Sequence, residues 1–195
     1  LNIIAVKNIT VITPRLGYDY LLNFGFTTLT DGVQVGNEIK SDVNQSLALG
    51  GLTYGVTPYE LTGAYAAIAN GGTYVTPKLY TRVTDSDGNV ILDNTNPATR
   101  QVIKETTAFL LTSAMQDVVT SGTGGRVNFG GMAIAGKTGT TDHDQDLWFC
   151  AFTPYYTCAV WGGYDDNKEC GYDTSFRFRL WKGIMSRIHE NLESK

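Results

Sequence analysis

Apolar positions along this chain come in short blocks, and their spacing changes from helical to strand-like about two thirds of the way along. Residues 3–12 are densely apolar up to Pro14 and predict a helix; 18–24 predict a second short one, closed by Gly25. The polar, Gly-rich stretch 27–53 predicts mostly loop, with the small-residue run Leu47-Ala48-Leu49-Gly50-Gly51 packing closely on a neighbour. Thr57-Pro58-Tyr59-Glu60 is the strongest helix start in the sequence, because it offers an N-cap Thr, Pro at the first helical position and Glu three residues after the cap. Leu61, Ala64, Tyr65 and Ile68 then recur at helical spacing, and Asn70-Gly71-Gly72 supplies the left-handed stop.

Further along, residues 80–84 and 90–92 flank the polar turn Asp85-Ser86-Asp87-Gly88-Asn89, the pattern of a surface hairpin. Residues 104–119 predict an amphipathic helix with Leu111, Ala114, Met115 and Val118 on its apolar face. Beyond Gly122-Thr123-Gly124-Gly125 the pattern becomes strands at 133–138, 147–152 and 157–162, with links short enough for antiparallel neighbours. A last helix carries Trp181, Ile184, Met185, Ile188 and Leu192. Helices, then a short antiparallel sheet, then a closing helix predict an α+β fold.

Composition narrows the function classes. The chain of 195 residues is 42% hydrophobic and 17% charged, enough to build one sizeable core or part of a larger one. It has no apolar run near the ~20 residues of a membrane span. A formal charge of -4 without any Lys/Arg cluster argues against nucleic acid as a partner. Cys150, Cys158 and Cys170 have no CxxC spacing, and the two His residues are too far apart in sequence to complete a zinc site readily with them. No metal and no cofactor is expected. Asp142, Asp144 and Asp146 with His143 read as a solvated turn, and Asp85, Asp87 and Asn89 as a hairpin turn. Trp148 and Trp161 read as core strand residues, Trp181 as a helix packing residue, and His189 as part of a solvated helix face.

The chemistry concentrates in Ala135-Gly136-Lys137-Thr138-Gly139-Thr140-Thr141. A lone cation, three hydroxyls and two glycines at the end of an apolar strand suit an extended anionic ligand. Lys137 brings a point charge, Thr138 and Thr140 bring donors, and Gly139 lets another backbone lie close. The same letters fit GxxxxGK[ST] from Gly131 to Thr138, a phosphate-loop pattern. A phosphate loop opens a helix, however, and Gly139-Thr140-Thr141 predicts none. The nucleotide reading therefore stands below the peptide-carboxylate one.

The segment from Ala135 to Thr141, followed by Asp146-Leu147-Trp148-Phe149, resembles the KTGTT motif and the following (D/A)WF strand of class A penicillin-binding proteins. Ser46-Leu47-Ala48-Leu49-Gly50-Gly51, Gly55-Val56-Thr57-Pro58-Tyr59-Glu60-Leu61, Ala64-Tyr65-Ala66-Ala67 with Asn70-Gly71-Gly72, and Trp161-Gly162-Gly163-Tyr164-Asp165 resemble the same family in the same order. The resemblance implies the C-terminal portion of the β-lactamase/transpeptidase-like fold, an antiparallel sheet packed with helices. It also implies a serine acyltransferase site in which SxxK, SxN and KTG motifs meet.

Only the third motif is complete in this sequence. Asn2-Ile3-Ile4-Ala5-Val6-Lys7 resembles the segment that begins with the Asn of SxN, and no Ser is followed three residues later by Lys. Residues 1–195 are therefore expected to be an incomplete transpeptidase domain that lacks the SxxK segment and the Ser of SxN. The resemblance implies catalytic roles for Lys137 and Asn2 and substrate-binding roles for Thr138, Gly139 and Thr140, the last through its N–H as well. Implied partners are D-Ala-D-Ala stem peptides of peptidoglycan, β-lactams, and either the remainder of the same domain or a second copy. The implied location is the extracytoplasmic face of a bacterial membrane, with any anchor outside these residues. A binding module without catalysis is the alternative.

Overall fold

In the computed structural model, residues 2–171 and 173–195 are described. The chain divides into two compact units, Leu1–Ala64 with Thr76–Asn96, and Tyr65–Val75 with Pro97–Lys195.

The first unit begins with helices α1 (Asn2–Ile12) and α2 (Pro14–Asn23). The second starts earlier than the hydrophobic pattern indicates, because Thr13 and Pro14 form a cap: the Thr13 hydroxyl accepts from Leu16 N–H at 3.4 Å and Pro14 takes the first helical position. Where the sequence predicts loop, there is a hairpin of β1 (Asp31–Val35) and β2 (Glu38–Ser41), then a 3-10 turn at Gln45–Leu49. Gly36 turns the hairpin with φ 60°, and because its strands are mostly exposed no alternation marks them in the sequence. Ile9, Tyr18, Phe26, Leu29, Leu47 and Ala64 form the core of this unit, so the small-residue run does pack inward through Leu47.

Two carboxylates are buried beside that core. Glu60, at the start of α3 (Pro58–Ala69), accepts from the N–H groups of Thr27 at 2.7 Å and Thr57 at 3.1 Å and from the hydroxyls of Thr27, Thr28 and Thr57. Glu60 N–H donates back to Thr57 Oγ1 at 3.2 Å, completing the predicted capping box. Asp42 accepts from the N–H and hydroxyl of both Thr30 and Thr53. The predicted surface hairpin is present as β4 (Arg82–Thr84) and β5 (Val90–Asp93), with the Asp85 carboxylate accepting from the N–H groups of Asp87 and Asn89.

In the second unit, α3 ends where Gly71 and Gly72 adopt positive φ, and β3 (Thr73–Val75) pairs with β6 (Thr99–Gln101). The sheet that follows has the order β7 (Ala135–Thr140), β8 (Asp146–Phe152), β9 (Thr157–Gly163), antiparallel throughout, as the short links predict. Helix α5 (Phe176–Ile188) covers one face, where Phe149, Ala151 and Val160 of the sheet meet Phe178, Trp181 and Met185. On the other face Ala135 and Phe152 meet Met115 of α4 (Glu105–Thr120), with Tyr65 and Ile68 against them.

Four sequence expectations change in this unit. The buried stripe of α4 is Ala108, Met115 and Val119, while Leu111 is exposed; α4 carries apolar residues on several faces, so periodicity alone misplaces the stripe. Ile184 and Ile188 of α5 are likewise exposed, whereas Trp181 and Met185 are fully buried. Trp161 lies at the surface, its indole N–H donating to Asp146 at 2.9 Å and its ring near that of Trp148. His189 is buried: Nδ1 lies 2.6 Å from Met185 O and Nε2 2.8 Å from Thr153 Oγ1, among the rings of Phe129, Tyr155 and Tyr156. In a neutral ring the carbonyl partner at Nδ1 requires the proton there and leaves Nε2 to accept from Thr153.

Candidate functional site

Lys137, Thr138, Gly139 and Thr140 lie together on β7, the terminal strand of its sheet. Thr141 N–H donates to Asp146 O, so alternation directs the backbone groups of Gly139 and Lys137 toward β8 as well. Those of Thr138 and Thr140 face the opposite edge, which no strand of this sheet occupies. That edge can take an extended peptide through main-chain hydrogen bonds.

The register also sorts the side chains. Thr138 and Thr140 stand over Phe149 and Leu147, on the face covered by α5, whereas Lys137 and Gly139 stand over Cys150 and Trp148 on the opposite face. Two glycines make the strand possible. A Cβ at Gly136 would lie 2.4 Å from the Ala151 Cβ, and one at Gly139 would lie 3.1 Å from the Trp148 Cβ. Gly139 thus makes room for its neighbour on β8 in addition to leaving the outer edge bare.

Lys137 is exposed and reaches along the strand, its Nζ donating to Thr138 O at 2.9 Å, an oxygen on the unpaired edge. Its ammonium lies 3.4 Å from Thr138 Oγ1, which is 3.3 Å from the hydroxyl of Thr123. Thr140 has a different partner. Arg177, in the first turn of α5, donates through Nη1 to Gly139 O at 2.8 Å and to Thr140 Oγ1 at 3.0 Å. Burial pulls the guanidinium below its ordinary pKa, against the opposing charge of Asp144.

Neither Thr123 nor Arg177 stands out in the sequence as a site residue. Thr123 lies in a Gly-rich break, and Arg177 alternates with Phe176 and Phe178 in a run that resembles a helix start and nothing more. Their partners are 15 and 37 residues away, beyond any local pattern. Asn2 opens α1 in the other unit and is exposed.

The phosphate-loop geometry is missing: Lys137 and Thr138 lie inside an antiparallel strand, and a 3-10 turn at Asp142–Asp144 follows rather than a helix. In the acidic turn, Asp146 is engaged by the Thr141 hydroxyl and the Trp161 indole. Among the described residues no group of three His, Cys, Asp or Glu side chains is arranged to hold a metal ion, and no helix is long and apolar enough to cross a membrane.

A family model for the penicillin binding protein transpeptidase domain matches residues 2–176. Penicillin-binding protein 1A of Clostridium botulinum is 38% identical over the whole chain, which corresponds to 23% of that protein. Penicillin-binding protein 4 of Bacillus subtilis is 33% identical over 96% of the chain and 29% of its own length. The chain thus spans about a quarter of the length of the curated relatives it matches. Among solved structures, penicillin-binding protein 1A from Haemophilus influenzae covers the whole chain with a TM-score of 0.78 at 22% identity, the chain matching 33% of it. PonA1 from Mycobacterium tuberculosis, solved in complex with penicillin V, covers 92% with a TM-score of 0.72 at 23% identity, and the match spans half of it. These structures share the α+β fold anticipated from the sequence. The chain belongs to the penicillin-binding protein transpeptidase domain family, as the class A resemblance of its Lys137-Thr138-Gly139-Thr140 strand implied.

Proposed function

We propose that this chain supplies the substrate-binding edge of a serine D,D-transpeptidase that cross-links peptidoglycan stem peptides outside the cytoplasmic membrane and is acylated by β-lactams. The observation that carries this reading is the unpaired edge of β7, where a cation, two Thr side chains and the backbone groups of Thr138 and Thr140 converge. The nucleophilic serine comes from a segment other than these 195 residues, since none of their serines is followed three residues later by Lys.

In the reaction the serine oxygen bonds to the carbonyl carbon of the penultimate D-Ala, and the terminal D-Ala leaves as an amine that takes up a proton. The amine of a second stem peptide then displaces the serine and completes the cross-link. Lys137 holds the substrate carboxylate and favours proton movement near the SxN serine; Thr138 and Thr140 donate to the carboxylate; Thr140 N–H stabilises the oxyanion. Gly139 keeps the peptide close to the strand. Asn2, the counterpart of the SxN Asn, binds the substrate amide. A β-lactam carries the same carboxylate next to a strained amide and acylates the same serine.

Labelling of the full-length polypeptide with a fluorescent penicillin tests this. Wild type should form a stoichiometric covalent adduct, and Lys137→Ala should slow its formation by about 10²-fold or more, the scale expected for a preorganised charge at a reacting centre. The 195-residue chain alone should remain unlabelled. Equal labelling rates in wild type and Lys137→Ala would sink the assignment of the edge.

A further inference from the structure

Arg177 is buried, with 8% of its surface exposed, yet no carboxylate pairs with it among the described ion pairs. Its Nε is the one buried side-chain nitrogen or oxygen among the described residues that lacks a hydrogen-bond partner. A desolvated cation held in this way is costly, and a well-packed apolar side chain would fill the same space more cheaply. Apart from the Phe178 ring, whose centroid lies 5.1 Å away, what the cation touches is the candidate substrate edge: Nη1 donates to Gly139 O at 2.8 Å and Thr140 Oγ1 at 3.0 Å.

The consequence follows from hydroxyl chemistry. A Thr hydroxyl that accepts from a guanidinium has a lone pair engaged on that side, so its own hydrogen points elsewhere, and the adjacent positive charge strengthens it as a donor. Thr140 also directs its backbone N–H to the unpaired edge. Arg177 therefore turns the hydrogen of a group that can donate or accept away from the guanidinium and makes it the stronger donor. The contact with Gly139 O further fixes the Gly139–Thr140 peptide plane.

Resting on the functional reading above, we infer that Arg177 is a positioning residue that acts through Thr140 to make the edge selective for ligands ending in a carboxylate over neutral isosteres. It does not touch the ligand itself. Its charge is relayed through one hydroxyl, so its effect depends on whether the ligand is an anion.

The test compares acylation of the full-length polypeptide by benzylpenicillin and by its methyl ester, which differ by one methyl group and the charge it removes. Wild type should react faster with the acid. Arg177→Gln should slow the acid about tenfold more than the ester, the scale of one charge-assisted hydrogen bond. Arg177→Lys should recover part of the acid-to-ester ratio. Thr140→Ala should lower the ratio by itself, and adding Arg177→Gln to it should lower it no further. Slowing of both ligands by the same factor in Arg177→Gln would mean a merely structural role and overturn the inference, as would a wild type that reacts without preferring the acid. In both cases the transpeptidase reading survives. A wild type acylated by neither ligand removes that reading and this inference with it.

Discussion

The two units each bury charge, and they treat it oppositely. In the first, Glu60 and Asp42 are enclosed by donors: every bond to Glu60 comes from a Thr backbone or hydroxyl, and Asp42 receives four of the same kind. In the second, Arg177 is nearly as buried as Glu60 but leaves Nε unsatisfied and has no ion pair among those described. Saturated buried charges tie distant segments together, here Thr27 to a helix 33 residues on. An unsaturated one stores cost without a matching structural return, which is what a site residue is expected to show.

The largest expected effect comes from breaking the saturated side. In Glu60→Gln, one oxygen becomes an NH₂ group facing Thr donors on the Thr27 or the Thr57 side, so charged bonds are lost and donors confront donors. We expect a loss of about 4 kcal/mol in the first unit, from several hydrogen bonds to a charged group of about 1.5–3 kcal/mol each, partly recovered by relaxation. Hydrogen exchange at the amides of Thr27 and Thr57 reads it directly. Unchanged protection there would mean that the Thr cage is incidental.

Acid should produce a somewhat smaller version of the same effect. Burial alone would raise the Glu60 carboxyl, but hydrogen bonds from the Thr27 side chain and N–H and from Thr57 outweigh it and bring the pKa from 4.5 down to about 2. The folded-state value lies below the unfolded one, so the stabilisation is fully present above about pH 4.5 and is lost as pH falls through about 2. At ~1.4 kcal/mol per pKa unit this amounts to about 3 kcal/mol across the window. Asp42 is depressed in the same direction, burial again opposed by bonds from Thr30 and Thr53, and adds to the fall. Protection of the Thr27 and Thr57 amides, corrected for intrinsic exchange, should drop over that range and do so less steeply in Glu60→Gln. A flat profile in wild type would contradict the depressed carboxyl.

The contrast also explains what the sequence discloses. The half of the Glu60 cage that is local, Thr57 to Glu60, is legible as a capping box because its partners are three residues apart. The half that reaches Thr27 and Thr28 is not, since no periodicity connects residues separated by a hairpin and a 3-10 turn. The Lys-Thr-Gly-Thr edge is legible for the same reason as the capping box: its chemistry is contiguous. Arg177 is invisible because its role is set by tertiary contact with β7, and His189 is misplaced because its partners, Thr153 and Tyr155 in the β8–β9 link and Phe129, lie far from it in sequence. Thr13-Pro14 carries the same cap signal as Thr57-Pro58, but without a Glu three residues later it is too weak to move the expected helix start.

The smallest effect should come from the unsaturated side, and it decides the comparison. Arg177→Met keeps an unbranched side chain against Phe178 while removing the desolvated charge and two hydrogen bonds. Gly139 O retains its neighbour on β8, and Thr140 lies at the surface, where water can replace the guanidinium. Loss of two bonds is thus set against relief of a buried charge, and the net change in the second unit should stay within about 1 kcal/mol. Exchange protection of the Phe149 and Ala151 amides, deep in the sheet, measures it. A loss as large as that in Glu60→Gln would make Arg177 a structural anchor of the same kind as the buried carboxylates. Near-neutral stability combined with a changed ligand preference would separate the charge that holds the fold from the charge that serves the site.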